Sequence, residues 1–146
     1  MPDKAFEHTI RFFQVPTASG TSVWLPLITV YLIQPGGNRV GLPLIFDTGA
    51  SVTTLRHDLY PLLGVPSWDS GEPEQTLTAG GEEPVLAYRY EATLEFLGKA
   101  VRCPIHLQVL PRNPLYVGLF GRDQIFQEFG FGFWERTHEL YATLNP

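Results

Sequence analysis

Leu44-Ile45-Phe46-Asp47-Thr48-Gly49-Ala50-Ser51 is the stretch on which the reading of this chain turns. Three large apolar residues run directly into a carboxylate, a hydroxyl and a glycine. The apolar triplet predicts a fully buried strand, and Thr48-Gly49 predicts the sharp turn that ends it. Asp47 is thereby expected at the floor of the fold, where an aspartate is seldom found unless it is hydrogen-bonded, paired or functional. The tripeptide alone decides little: at average composition an Asp-Thr/Ser-Gly arises in roughly one chain of this length in fifteen. An aspartate that merely caps a turn is the alternative reading, so the surroundings must decide.

Those surroundings read as strands. His8 to Val15 is a β-prone first strand, closed by Pro16. Trp24 to Gln34 is a second, Pro35-Gly36-Gly37-Asn38 is the strongest turn signal, and Arg39 to Phe46 returns from it, so a hairpin delivers Asp47 at its end. Val52 to Leu55 is extended again, and Asp58 to Leu63 predicts a short turn of helix before Gly64. Residues 66–75, acidic and broken by prolines, predict a surface loop. Thr76 to Pro84 opens a hairpin, spanning about 76–90, with a small, pliant tip at Ala79-Gly80-Gly81.

The clearest periodicity follows. Tyr88, Tyr90, Ala92, Leu94 and Phe96 alternate with polar residues, and Val101, Cys103, Ile105, Leu107 and Val109 alternate with Arg102, Pro104, His106 and Gln108. Pro104 lacks a donor and is expected at an edge or a bulge. A second apolar run, Leu115 to Phe120, ends in Gly121-Arg122-Asp123, where Asp123 is expected to cap a short helix over 124–128. Residues 131–134 and 139–144 predict a last hairpin. About eight to ten short strands with one or two short helices make an all-β domain.

Composition agrees and excludes several functions. At 146 residues, 44% hydrophobic and 17% charged, the chain fits a single domain, 1–146, with its own core. Gly 14 and Pro 13 suit many short strands joined by turns. A net charge of -5 without a block of Lys or Arg argues against a nucleic-acid partner. Cys103 is the single cysteine, which leaves no disulfide framework and no Cys-based zinc site and fits a reducing compartment. His8, His57, His106 and His138 are scattered without metal-ligand spacing, so neither metal nor other cofactor is expected. The start carries no apolar leader, and Trp24 to Ile33 is too short to span a bilayer, so a soluble, cytoplasmic protein, or a soluble part of a longer one, is expected. Ser51, His57 and Asp58 lack a Gly-x-Ser-x-Gly elbow and make no hydrolase triad. Cys103 reads as a small core residue, and Trp68 as packing.

Taken together, the apolar-Asp-Thr-Gly-Ala-Ser motif, the glycine-tipped hairpin, the paired strands 88–110 and the apolar-apolar-Gly-Arg-Asp run before a short helix resemble the retropepsin-like aspartic proteases. These are single-domain relatives of pepsin found in retroviruses, retrotransposons, bacteria and eukaryotic cells. The resemblance runs from about Trp24 to about Phe129; a terminal hairpin over about 130–146 goes beyond the shortest viral members. It implies a closed, partly orthogonal β-barrel and an aspartic endopeptidase assembled as a homodimer on an extended peptide. Asp47 and its symmetry mate would share one proton, Thr48 would bond the opposite loop, and Gly49 would let the backbone turn and approach the carboxylate. Ala50, Ser51 and the flap tip Ala79-Gly80-Gly81 would contact substrate, while Gly121, Arg122 and Asp123 would support the loop or the dimer. Many retroviral members carry an acidic residue where this chain has Ser51, and it pairs with the arginine of the Gly-Arg motif. Arg122 is therefore expected to bond Asp123 or a backbone carbonyl, and a non-viral member is implied. Glu82 and Glu83 would make the flap disfavour acidic substrates. A different class of function stays open on the sequence: a module of this fold that holds peptides without cutting them, or a protease domain inactive as a monomer.

Overall fold

The computed structural model describes residues 6–76 and 83–146, and within them most of the regular structure is strand. In order these are β1 (His8–Arg11), β2 (Phe13–Pro16), β3 (Ser22–Leu25), β4 (Leu27–Ile33), β5 (Arg39–Phe46), β6 (Thr53–Arg56), β7 (Glu72–Thr76), β8 (Val85–Phe96), β9 (Lys99–Gln108), β10 (Gly118–Phe120), β11 (Phe129–Trp134) and β12 (Glu139–Leu144). One α-helix, α1 (Ile125–Glu128), and 3-10 turns at His57–Leu63 and Glu135–Thr137 complete them. No helix among the described residues is long and apolar enough to cross a membrane.

The main sheet closes on itself. β4 pairs antiparallel with β5, β5 parallel with β10, β10 antiparallel with β6, β6 parallel with β9, and β9 antiparallel with β8. Leu32 opposite Leu94 then joins β8 back to β4. The long β8 has two partners on that side: its second half meets β4, and its first half, Val85 to Arg89, meets β7. Inside the ring lie the fully buried Val30, Leu44, Leu55, Ile105, Leu107 and Phe120, one face of each strand turned inward. β1, β12 and β11 form a separate sheet, and β2 with β3 a two-stranded ribbon.

An aromatic cluster joins the ring to the terminal sheet. Phe46, the last residue before Asp47, lies 4.7 Å from Phe131, 5.3 Å from Phe133, 5.6 Å from Phe126 and 5.8 Å from Phe120, measured between ring centres. Phe96 closes the cluster 5.2 Å from Phe120 and 5.4 Å from Phe129. Each such pair contributes about 0.5–1.5 kcal/mol beyond the area it buries. The turn carrying Asp47 therefore rests on a packed base.

Several expectations change in detail. The first strand is interrupted at Phe12, whose N–H bonds His138 O at 2.9 Å and whose side chain is buried, so β1 and β2 serve different sheets. The second strand breaks at Pro26, with β3 on one side and β4 on the other. Ile45 is only half-buried, because the strand alternates between the ring interior and the outside. The acidic stretch 66–75 is not all loop: from Glu72 it is β7, and Pro73 is tolerated there because β7 is the outer strand of its sheet. Asp123 does not cap α1; the cap position is Gln124, with φ 65 and no side-chain hydrogen bond. Val109 is exposed, while Cys103 through Leu107 are all buried. Pro104 fits its expectation, since β6 begins its pairing with β9 one residue later, at Thr53 opposite Ile105. The turn at 35–38, the helical turn at 57–63 and the closing hairpin are where the sequence places them.

Candidate active site

The motif loop is held from both ends of the β5–β10 pair. Asp47 N–H donates to Phe120 O at 3.1 Å, and Ala50 N–H turns back to Asp47 O at 3.2 Å. From the other side Arg122 N–H donates to Ala50 O at 3.0 Å and Asp123 N–H to Ser51 O at 2.8 Å. Beneath them, in the interior, Gly121 N–H donates to the hydroxyl of Thr53 at 3.0 Å. The two motifs that the sequence sets far apart thus form one hydrogen-bonded unit.

Glycine is required at Gly121 by sheer proximity. A methyl group there would sit 2.4 Å from the Val52 carbonyl carbon and 2.7 Å from Thr53 N, inside the contact limit of any real Cβ. At Gly49 the reason is a close approach to the Asp47 carboxylate more than conformation. Its φ lies outside the left-handed region, so the turn itself does not demand glycine. Its N–H donates to Asp47 Oδ1 at 2.9 Å, and an added Cβ would come within 3.2 Å of that same oxygen. One carboxylate oxygen is thereby oriented by the backbone two residues on.

Asp47 is half-buried, whereas Thr48, Gly49 and Ser51 are exposed. The loop forms the floor of a cleft of about 290 Å³, which Asp47, Gly49, Ala50 and Ser51 line on one side. Val52, Thr54 of β6, Thr76 of β7, His106 and Gln108 of β9, and Leu110 and Leu119 complete its walls. Asp47 is the single carboxylate among these lining residues. A second hollow of about 220 Å³ adjoins it through Leu110 and Leu119 and extends to Arg56, Arg112 and Tyr116.

Other anticipated residues separate cleanly. Arg122 is exposed, and among the described residues its guanidinium enters no ion pair, with Asp123 or otherwise; its contribution to the loop is its backbone N–H. Ala79, Gly80 and Gly81, with Glu82, lie outside the described residues. Ser51, His57 and Asp58 form no triad; Asp58 is bound by Arg56 at 2.6 Å, and that hydrogen bond chiefly holds its carboxyl below the usual range. Cys103 is buried, and desolvation pushes its thiol up to about 12, so it is no nucleophile. Trp68 packs edge-on against Tyr88, 5.0 Å between ring centres.

Thr76, His106, Gln108, Leu110 and Leu119 were not singled out from the sequence as cleft residues. Alternation along β9 marks His106 only as a polar strand position, and nothing local to it shows that it is buried and bonded to Glu74 two strands away. The useful signal was a histidine flanked by apolar Ile105 and Leu107 in the middle of a strand.

Comparison with curated proteins gives no match. Among solved structures the chain is similar to a retropepsin-like aspartic protease from Rickettsia conorii, with 20% identity, a TM-score of 0.58, and 93% of this chain and 91% of that chain covered. It is also similar to the EIAV protease complexed with an inhibitor, at 21% identity and a TM-score of 0.47, with 74% of this chain and 88% of that chain covered. The first likeness is one of fold, and it identifies the ring of strands as the retropepsin type. The family model described as aspartyl protease matches residues 32–124, from β4 through Asp47 to the residue after Asp123. That span exceeds half of the sequence and contains both motifs, and the chain therefore belongs to the aspartyl protease family.

Proposed function

We propose that the chain is an aspartic endopeptidase whose active site is completed by a second copy of itself. The observation that carries this reading is the lone Asp47 carboxylate, oriented by Gly49 N–H, on the floor of a cleft with no second acid among its lining residues. Water-mediated peptide hydrolysis by carboxylates needs two, one to accept a proton and one to donate. Thr48, Gly49, Ser51 and the side chain of Arg122 are all exposed around it, which leaves a face for a partner loop to cover.

In the assembled pair the two Asp47 carboxylates share one proton, since like charges this close cannot both be ionised cheaply. The ionised member takes a proton from a water held between them, and that oxygen attacks the scissile carbonyl carbon. The protonated member donates to the carbonyl oxygen as it becomes tetrahedral; collapse then breaks the C–N bond, and the leaving amine takes a proton from the site. Thr48 bonds the opposing loop, and Ala50 and Ser51 contact an extended peptide. Ala79, Gly80 and Gly81 are assigned to substrate contact from their sequence alone, and the acidic Glu82 and Glu83 to disfavouring acidic substrates.

The test is cleavage of a mixed peptide library at mildly acidic pH by wild type and Asp47→Asn over a range of protein concentrations. Activity that rises faster than linearly with protein and disappears in the variant supports the reading. Undiminished activity of pure Asp47→Asn removes Asp47 from the chemistry. Folded wild type that binds peptides and cuts none at any concentration points instead to a peptide-holding module.

A further inference from the structure

His106 is the one histidine that is fully enclosed among the described residues, at 5% exposure, and it stands in the wall of the Asp47 cleft. A buried imidazole is costly unless its N–H groups are bonded. Its partner is Glu74, with Nε2 to Oε2 2.6 Å. An ionised carboxylate only accepts, so Nε2 carries the hydrogen and donates it. The other Glu74 oxygen lies 3.4 Å from Arg89 of β8, so β7, β8 and β9 are tied at one point.

The position of this tie gives it a consequence for the cleft. Glu74 belongs to β7 and His106 to β9, strands with no direct backbone pairing to one another, because β8 lies between them in the hydrogen-bonding order. Two residues beyond Glu74, Thr76 lines the cleft; directly beside His106 in the ladder is Thr54 of β6, which lines it too. Resting on the protease reading of Asp47, we propose that the Glu74–His106 pair is a positioning device for substrate: it fastens β7 against β9 so that the Thr76 wall of the cleft stands at binding distance. His106 is a positioning residue and not a catalytic one, since its Nε2 is already committed to Glu74.

Several charged groups surround the pair. On β7, Glu72 lies opposite Arg89; on β8, Arg89 also approaches Glu91 at 3.5 Å; β6 presents Thr54 beside His106 and Arg56 opposite Gln108, the latter held by Asp58; across the cleft is Asp47. The hydrogen bond from His106 is the leading cause that holds the Glu74 carboxyl below its usual range, so Glu74 stays ionised into acid.

The experiment compares wild type, Glu74→Gln and His106→Gln at one mildly acidic pH. Backbone amide exchange at Glu74, Gln75 and Thr76, corrected for intrinsic rates, reads the fastening without any catalysis. Protection in Glu74→Gln should fall below that of wild type. For a peptide that wild type cleaves, KM of Glu74→Gln should rise about fivefold with kcat within about twofold. His106→Gln keeps a neutral donor and should lie between the two. Equal protection in all three proteins overturns the proposal, as does a loss confined to kcat. If wild type cleaves nothing, the protease reading falls by itself, and the exchange comparison still decides whether the pair fastens β7.

Discussion

The sharpest constraints on this chain sit at single atoms. Gly121 passes so close to Val52 that no side chain fits, and its N–H is the donor to the buried Thr53 hydroxyl. Gly121→Ala should therefore cost at least about 2 kcal/mol, read as a lower urea midpoint with an unchanged slope; a neutral effect would mean that the loop is not held as described. Asp58 offers a pH test. Its folded-state pKa is depressed, chiefly by the hydrogen bond from Arg56 and further by the charges of Arg56, Arg112 and His57, against the opposing effect of burial. The stability it adds is present above the unfolded carboxylate value and is lost as pH falls through the folded one. Asp58→Asn should lower stability by about 0.5–1 kcal/mol at neutral pH, with the gap closing near about pH 2. Urea titrations of both proteins at the two pH values check this, and a gap that widens in acid would contradict it. At this scale Asp47, Gly121 and Cys103 were legible because each is unusual where it stands: a carboxylate after an apolar run, a glycine after another, a lone thiol on an inward position. Arg122 was not, because its work is done by a backbone N–H that every residue except proline carries.

Among the elements, the loop before β7 shows how a tyrosine organises backbone that strands leave unpaired. Tyr90 Oη accepts from Gly71 N–H at 2.8 Å and donates to Trp68 O at 2.7 Å. Removing it leaves the Gly71 donor and the Trp68 acceptor to water or to nothing, so Tyr90→Phe should cost about 1–2 kcal/mol. Amide exchange at Gly71 should accelerate by a factor that matches the loss in the urea midpoint; unchanged exchange would show that the loop is held elsewhere. The sequence marked Tyr90 only as the inward face of an alternating strand, since the partner carbonyls carry no side-chain signature. β7 was hidden for a related reason: acids and Pro73 are what an outer strand carries on its unpaired side, and the same residues are what a loop carries.

For the molecule as a whole, the proposed assembly makes a prediction about association that is independent of peptide cleavage. Two Asp47 carboxylates brought together repel once their shared proton is lost, and Asp47→Asn removes that repulsion. The variant should self-associate at least as tightly as wild type. Sedimentation equilibrium measures it; a variant that associates more weakly than wild type would count against carboxylates meeting at the interface. The all-β class was readable from alternation and turns, which are local. Ring closure was expected through the family resemblance alone, because β5–β10 and β6–β9 are parallel pairings between distant segments and leave no periodic trace in either one.

One of those pairings also sets an order of events. β10, residues 118–120, is inserted between β5 and β6, the two strands that flank the Asp47 loop. On a ribosome Asp47 is made well before β10, yet both neighbours of its loop wait for that three-residue strand. A nascent chain stalled before Gly118 can hold the β4–β5 hairpin but has nothing to place between β5 and β6. The Asp47 loop thus stays unbraced until residues 118–120 have been made, because its backbone partner Phe120 O does not exist before then.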